Sequence, residues 1–136
     1  MIIENDKQLA EILNGAKTIA VVGASPDLNR DSNRIMEYLI KVGYDVIPVN
    51  PNYEKIFDKK CFPTVTNIGR PIDIVDVFRR SEFADEVAKD AVAAKAKVIW
   101  MQLGVLNEGA AKFAIQNGLK VVMDRCIMVE HRRLIH

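Results

Sequence analysis

The sequence predicts an α/β fold in which a five-stranded parallel sheet lies between two layers of helices. Five short apolar segments each give way to a glycine or a polar residue, as buried strands do; they span residues 19–22, 45–50, 72–78, 98–101 and 119–123. Segments with apolar residues at helical spacing separate them. Because strands that alternate with helices are joined by right-handed crossovers, we expect a three-layer domain with the strand order 3-2-1-4-5.

Length and composition favour one compact domain over residues 1–136. The chain has 136 residues, of which 49% are apolar and 27% charged, enough for a hydrophobic core. Its 19 basic and 18 acidic residues leave a net charge of +1. This balance provides no broad basic surface for nucleic acid or for an anionic membrane. Any anion must therefore be bound by a local arrangement of residues.

The chain shows no sign of export or of a zinc site. No segment is long and apolar enough to span a bilayer, and the N-terminus has no basic region followed by an apolar one, so we expect a cytoplasmic protein. Cys61 and Cys126 lie far apart without CxxC spacing, which favours reduced thiols and no metal site.

Helices are predicted before the first strand and after each strand except the second. Residues 6–14 form a lead-in helix with Asn5 or Asp6 as its cap, and Asn107 caps the helix that precedes the last strand. The segment 51–69 has no sustained period, so we expect an irregular excursion with a turn of helix near 53–57. Pro48 cannot donate a ladder hydrogen bond, which requires its strand to lose a partner there or to lie near an edge.

The exits of the five strands share one edge of a parallel sheet. They comprise residues 23–30, 50–51, 78–81, 102–104 and 124–126. Ligands of such sheets bind in the crevice where the strand order reverses, beside the first strand. The helix that follows the first loop would present free backbone N–H groups there, which favours an anion such as a pyrophosphate.

The first loop lacks the glycine pattern of common dinucleotide sites. Gly23 is followed by Ala24 and Ser25, with no second or third glycine of a GxGxxG motif. The second strand ends at Asn50, without the carboxylate that usually holds the ribose of NAD. Polar groups for phosphate are nevertheless present in the first loop, namely Ser25, Asn29 and Arg30.

Five segments in this order carry a family resemblance. VVGASPDLNR, VIPVNP, VDVFRR, VIWMQLG and DRCIMVEHRRL resemble the small stand-alone CoA-binding proteins, which are similar to the N-terminal CoA-binding domain of the succinyl-CoA synthetase alpha subunit. The resemblance covers almost the whole chain after the lead-in helix. It implies a Rossmann-like domain that binds coenzyme A, with no catalytic activity established for the stand-alone members.

The resemblance implies nine cofactor-binding residues, all at strand exits: Gly23, Ala24, Ser25, Arg30, Asn50, Pro51, Phe78, Arg79 and Gln102. Those of the first loop would line the pyrophosphate, with the guanidinium neutralising it. The pair after the second strand would flank the adenosine half, and the pair after the third strand would form a wall of the site. The glutamine would face the pantetheine arm.

Three functions are compatible with these residues. The first is a non-catalytic carrier, sensor or partner subunit that binds CoA or an acyl-CoA. The second is an oxidoreductase using a nicotinamide or flavin dinucleotide, and the third is the nucleotide-binding subunit of an acyl-CoA ligase. Synthetases of the resembling kind add a domain with a phosphorylated histidine, whereas this sequence has only His131 and His136, so we expect no ligase activity from this chain alone. A protein partner or a homo-oligomer stays open.

Four side chains have a structural interpretation beside the functional one. Arg30 could contact phosphate, remain solvated, or pair with Asp27 or Asp31. Cys126 follows the last strand, where its thiol could exchange with that of CoA, but a small buried hydrophobe is the favoured interpretation. Trp100 is expected in the core rather than against adenine, and His131 in a hydrogen bond rather than in catalysis.

Overall fold

The computed structural model describes all 136 residues and contains seven strands and five α-helices. The strands are β1 (Thr18–Val22), β2 (Asp45–Val49), β3 (Lys55–Ile56), β4 (Lys59–Lys60), β5 (Ile74–Val77), β6 (Val98–Met101) and β7 (Lys120–Val122). The helices are α1 (Asp6–Gly15), α2 (Asp31–Lys41), α3 (Ala84–Ala93), α4 (Glu108–Gln116) and α5 (Ile127–Leu134). Short 3-10 turns cover Val65–Asn67 and Ser81–Phe83.

The main sheet is parallel and has the order β2-β1-β5-β6-β7, which confirms the α/β fold. The expected order 3-2-1-4-5 is wrong. Counted over the five strands of this sheet the order is 2-1-3-4-5, because β5 pairs with the free side of β1 and leaves β2 at the edge. The crossover of strand order therefore lies between β1 and β5.

Pro48 explains why β2 is the edge strand. Its carbonyl accepts a hydrogen bond of 3.0 Å from the N–H of Phe62, outside the sheet. Because the N–H and C=O of one strand residue point to the same side, the donor that proline lacks would also face this edge. In the expected order β2 would have needed ladder partners on both sides. The return chain instead covers the edge, and the N–H of Asn50 donates to the Phe62 carbonyl at 2.9 Å.

The sheet separates two hydrophobic cores. Alternate residues of each strand point to opposite faces, so Ala20 packs with the α3–α4 layer and Val21 with the layer of α1, α2 and α5. Trp100 is fully buried in the second core, as expected, and its indole N–H donates to the carbonyl of Arg125 at 2.8 Å. Both layers thus hold the strand exits in fixed positions.

The excursion after β2 is a small hairpin and not a turn of helix. β3 and β4 pair antiparallel, with Lys55 opposite Lys60. The two residues of the turn, Phe57 and Asp58, have φ angles of 53° and 61°. Two successive positive φ angles are typical of the tight turns that join hairpin strands. The expected helical turn at 53–57 is therefore wrong.

Asp76 is a fully buried carboxyl group in the middle of β5. It lies between Val21 of β1 and Trp100 of β6 in the sheet register. Neither of its carboxyl oxygens has a hydrogen-bond partner, and burial raises its pKa well above the ordinary value. Asp73, three residues earlier, instead accepts hydrogen bonds from the N–H groups of Lys17 and Thr18.

Ion pairs and aromatic contacts fasten α5 to the body of the fold. The buried carboxylate of Glu130 accepts from Arg125 at 2.7 Å and from Arg133 at 2.8 Å, and Arg133 also binds Asp6 of α1. His131 is hydrogen-bonded to the hydroxyl of Tyr38 at 2.7 Å, which confirms its structural interpretation. None of the helices combines the length and the apolar character that crossing a membrane demands.

Candidate functional site

The carboxyl edge of the sheet holds a cavity of about 570 Å³ between the first loop and three other strand exits. One side is formed by the first loop and the start of α2. The other sides come from the exits of β2, β5 and β6. Its lining residues are Gly23, Ser25, Asn29, Arg30, Asp31, Ser32, Asn50, Asn52, Tyr53, Phe78, Gln102, Leu103 and Val105. We call this the first cavity.

A second cavity of about 350 Å³ lies on the α3 side of the same edge. It is lined by the exits of β1 and β2, by the chain after the hairpin and by Arg79, Glu86 and Asp90. Gly23, Asn50 and Asn52 line both cavities, so the two cavities meet at the exits of β1 and β2. A ligand with two differently shaped halves could occupy both at once.

Gly23 brings the exits of β1 and β5 together. Its φ is +90°, a conformation that other residues adopt only with strain. A Cβ atom there would lie 3.2 Å from both the carbonyl carbon and the carbonyl oxygen of Phe78. The N–H of Phe78 also donates to Val22 at 2.8 Å. The glycine is thus required by the approach of two strand exits as well as by its place on the cavity wall.

Two side-chain amides hold the first loop in place. Asn50 donates from Nδ2 to the carbonyl of Ala24 at 2.9 Å, and Asn33 donates from Nδ2 to the carbonyl of Ser25 at 2.9 Å. Ala24 is fully buried and lines neither cavity, in contrast to the other eight residues named from the sequence. Within the loop, Ser25 Oγ accepts from the N–H of Asp27 at 3.1 Å. The loop is therefore pre-organised by its own polar groups.

The N-terminus of α2 opens onto the first cavity without a cap. Arg30 occupies the N-cap position and no side chain accepts a hydrogen bond from the first turn. Asp31 and Ser32, the first residues of the helix, line the cavity. Backbone N–H groups at a helix start carry a partial positive charge and favour an anion. This is the polar end of the first cavity.

The guanidinium of Arg30 is not used in an ion pair. Asp31 pairs with Arg34, one turn along the helix, so the suggested pairing of Arg30 with Asp27 or Asp31 does not form. Arg30 is exposed and lines the first cavity. Its positive charge is available to a ligand at the same place as the uncapped helix.

The residues expected at the other exits divide between the cavities. Phe78 and Gln102 line the first, whereas Pro51 and Arg79 line the second. Gln102 is buried, and its Oε1 accepts a hydrogen bond of 3.0 Å from the N–H of Ile127, at the start of α5. Arg79 pairs with Glu86 at 3.7 Å. Gln102 and Arg79 thus each have a partner within the protein and also line a cavity.

Comparison with known proteins identifies the family. Residues 17–132 match the family described as a CoA binding domain. The chain belongs to the CoA binding domain family. It is 40% identical over 124 residues to the protein YneT of Bacillus subtilis, an alignment that covers 91% of this chain and 92% of YneT.

This chain is also similar to a solved structure of about its own length and to part of a longer ligase. A solved structure of a hypothetical protein from Pyrococcus horikoshii OT3 is similar with a TM-score of 0.95 and 44% identity, covering 98% of this chain and 94% of that one. The ADP-forming acetate–CoA ligase I of Archaeoglobus fulgidus is 25% identical over 121 residues, which cover 82% of this chain but 18% of the ligase. The resemblance to stand-alone CoA-binding proteins is confirmed, and the domain also forms part of much longer ligases.

Several lining residues of this CoA binding domain were not found from the sequence. Ser32 lies at the start of α2, Asn52 and Tyr53 follow β2, and Leu103 and Val105 follow β6. The asparagine and the tyrosine are the next residues after the Asn50-Pro51 exit, so a longer window at that strand end would have included them. Leu103 lies within the predicted strand exit 102–104, although it was not named as a binding residue, whereas no sequence signal marked Val105.

Cys126 and His131 lie outside the two cavities. Cys126 is half-buried against the α2–α5 core at the N-cap position of α5. Burial lowers the pKa of His131, which is packed against the rings of Tyr38 and Tyr44. These positions favour packing over chemistry on a ligand for both residues.

Proposed function

We propose that this chain is a single CoA-binding domain that holds coenzyme A or an acyl-CoA across the two cavities, as a non-catalytic carrier, sensor or partner subunit. The observation that carries the proposal is the meeting of both cavities at Gly23 and Asn50. One cavity has an uncapped helix and an unpaired guanidinium, whereas the other has neither. CoA likewise has a charged pyrophosphate that joins a long pantetheine arm to an adenosine, whose ribose carries the 3′-phosphate.

The pyrophosphate fits the polar end of the first cavity. The uncapped start of α2 supplies backbone donors, and Arg30 supplies a charge that no carboxylate of the chain neutralises. The hydroxyl of Ser25 and the amide of Asn29 line the same space. Charge-assisted hydrogen bonds to phosphate are among the stronger polar contacts in proteins. These groups support the assignment of Ser25 and Arg30 as phosphate-binding residues.

The adenosine fits the second cavity. Glu86 and Asp90 of α3 line it, and they would repel a phosphate while accepting hydrogen bonds from an amino or hydroxyl group. The pKa of Asp90 is raised by burial and by the nearby Glu86. Pro51 offers an apolar surface on the same wall. These features support the assignment of Asn50 and Pro51 to the adenosine half.

The hairpin offers a site for the 3′-phosphate that distinguishes CoA from NAD. Lys55 and Lys60 line a recess of about 560 Å³ that shares Asn50, Pro51 and Tyr53 with the site. They are also directly opposite each other in the β3–β4 pair. Like charges opposite each other destabilise a sheet, and a bound phosphate would remove that cost. We therefore add these two lysines to the proposed CoA site.

The oxidoreductase alternative is less well supported. NAD sites of this architecture usually place a carboxylate at the end of the second strand. Here Asn50 occupies that exit, and its amide donor is used by the carbonyl of Ala24. This exit therefore offers no carboxylate to the ribose of NAD.

A second candidate function is a nucleotide-binding subunit of an acyl-CoA ligase. The similarity to the acetate–CoA ligase of Archaeoglobus fulgidus favours it, since that protein contains a related segment within a longer chain. It requires a separate protein to supply the remaining domains. Co-purification of a ligase partner with the tagged chain, and acyl-CoA formation by the pair, would support this role.

Calorimetric titration with CoA, dephospho-CoA and NAD tests the proposal. We expect CoA to bind most tightly, dephospho-CoA more weakly and NAD most weakly. Binding of NAD in preference to CoA would overturn the assignment. Incubation of the chain alone with acetyl-CoA should release no thiol, and steady release would contradict the non-catalytic role. The free thiols of Cys61 and Cys126 support the proposal that it works in the reducing cytoplasm.

A further inference from the structure

The first cavity is lined by polar side chains from the first loop and by two apolar side chains from the loop after β6. Ser25, Asn29 and Arg30 lie at the end formed by the first loop. The exit of β6 contributes Leu103 and Val105 instead. A ligand that needed only polar contacts would leave these apolar side chains without a function.

We propose that the physiological ligand is an acyl-CoA with an uncharged, apolar acyl group, and that this group packs on the loop after β6. The inference rests on the proposed function, because it requires the pyrophosphate at the first loop. The acyl group of an acyl-CoA is attached to the far end of the pantetheine arm. Arg30, Gln102 and Leu103 line one cavity, so an arm that starts at Arg30 can extend past Gln102 toward Leu103.

Two leucines of this loop are exposed in the free protein. Leu103 is 70% exposed and Leu106 is 54% exposed, and neither belongs to a hydrophobic core. A single exposed leucine is common on protein surfaces. Here two exposed leucines lie within four residues on one loop, and one of them lines the first cavity. Contact with an acyl chain would remove their apolar surface from water.

Hydrogen bonds hold the loop after β6 rigidly in this position. The N–H of Gly104 donates to Asp124 Oδ1 at 2.7 Å, and the N–H of Leu106 donates to Ser81 Oγ at 2.9 Å. The side chain of Asn107 donates to the carbonyl of Ser81 at 2.9 Å. A loop fixed to two other segments, at Asp124 and at Ser81, cannot fold its leucines into the core. Their exposure is therefore a feature of the folded loop, and an acyl group can bind without ordering it.

The same loop argues against a dicarboxylic acyl group. The carboxylate of Asp124 contacts the loop at Gly104, next to Leu103. A terminal carboxylate on the acyl chain would be repelled by it and would also lose water on the apolar surface. Straight-chain acyl groups such as butyryl and hexanoyl carry no charge, so they are not repelled by Asp124 and have no carboxylate to dehydrate.

The test compares dissociation constants of CoA, acetyl-CoA, butyryl-CoA, hexanoyl-CoA and succinyl-CoA by calorimetry. A fully buried methylene strengthens binding about fourfold, and an open rim that covers half of it gives about twofold. We therefore expect hexanoyl-CoA to bind about 16-fold more tightly than acetyl-CoA. Succinyl-CoA should bind more weakly than butyryl-CoA.

Two variants and one control locate the acyl group. Leu103→Ser and Leu106→Ser should each reduce the hexanoyl-to-acetyl gain to about fourfold or less, because a hydroxymethyl group covers little of the chain. Val129→Ser removes an equally exposed side chain from α5, outside the three site cavities, and should keep the full gain.

The outcomes separate this inference from the proposed function. If CoA and all its thioesters fail to bind, the proposed function is wrong. If CoA binds and all thioesters match it, the CoA site stands but the acyl assignment is wrong, as it would be if a protein partner covered the leucines. A chain-length gain that survives both leucine variants would place the acyl group elsewhere and overturn the inference.

Discussion

A Cβ atom on residue 23 would lie 3.2 Å from the carbonyl oxygen of Phe78, closer than ordinary packing allows. Gly23→Ala should therefore destabilise the fold by more than the about 1–3 kcal/mol that a left-handed conformation costs other residues. It should also weaken CoA binding, because relief of the contact moves the exits of β1 and β5 apart. Urea denaturation and calorimetry measure the two effects.

Gly118→Ala is the matched control for this prediction. Gly118 has a φ of +88°, but nothing lies within 4 Å of the position that its Cβ would occupy. Gly118→Ala should lose only the free energy of unfolding that the left-handed backbone conformation costs. It should bind CoA as tightly as the wild type does. Equal losses of stability in both variants would mean that the contact with Phe78 adds nothing to the cost of Gly23→Ala.

Arg30→Ala should weaken CoA binding by about 1.5–3 kcal/mol, the value of a hydrogen bond to a charged group. The fold should stay intact because Arg30 is exposed and forms no ion pair. Calorimetry at two salt concentrations measures the loss, and the variant should also show a weaker dependence on salt. Lys112→Ala removes an exposed cation outside the site cavities and serves as control. Unchanged affinity in Arg30→Ala would remove this residue from the proposed site.

Lys55→Gln combined with Lys60→Gln should weaken CoA binding by about 1 kcal/mol and leave dephospho-CoA binding unchanged. The reason is that the two ammonium groups are proposed to meet the 3′-phosphate, which only CoA carries. Lys59→Gln is the control within the same hairpin, since neighbouring strand residues point to opposite faces and Lys59 does not line the recess. An equal loss for both ligands would assign the lysines a general electrostatic effect.

Asp76→Asn should stabilise the protein increasingly as pH rises. Burial raises the pKa of Asp76 above its ordinary value of 3.8, so the folded chain holds this proton more tightly than the unfolded chain does. The free energy of unfolding then falls as pH rises above about 3.8 until the folded carboxyl ionises, by up to about 1.4 kcal/mol per pH unit. The asparagine amide cannot ionise, so the free energy of unfolding of the variant does not fall in this way.

Denaturation of the wild type and of Asp76→Asn at about pH 5 and about pH 8 measures this effect. The stability advantage of the variant should be larger at the higher pH. Asp85→Asn, at an exposed position on α3, should not reproduce it. If the gap between wild type and Asp76→Asn is the same at both pH values, Asp76 is not protonated in the fold.

The α/β class followed from local patterns, whereas the strand order did not. Apolar segments and helical spacing depend on neighbouring residues, and they indicated all five strands of the main sheet. Strand order depends on which strands pair across the chain. Pro48 favoured a different order, because a residue without an N–H donor is best placed in an edge strand. In the observed order β2 is an edge strand, whereas in the expected order it was not.

The hairpin escaped prediction because its turn lacks the usual residues. Two successive positive φ angles normally indicate Asn-Gly or Asp-Gly, and here Phe57 and Asp58 adopt them. Its strands are two residues long, too short to show alternation.

The polar part of the candidate site was predicted better than the apolar part. Strand exits meet at one edge in any parallel sheet, so residues such as Gly23 and Asn50 could be grouped from sequence. Leu103 and Val105 look like ordinary core residues in the sequence. Only the folded loop after β6 shows that one of them faces outward at a cavity.

The most direct test of the CoA site maps backbone amide signals by nuclear magnetic resonance while CoA is added. The amides of the non-proline residues in 23–32, 50–53, 78–79 and 102–105 should shift, because these segments form the walls of the two cavities. A separate cavity of about 450 Å³ lies at the opposite edge of the sheet, where Glu11, Lys97 and Lys120 line it. Shifts confined to that edge, with Gly23 and Asn50 unchanged, would contradict the site proposed for coenzyme A.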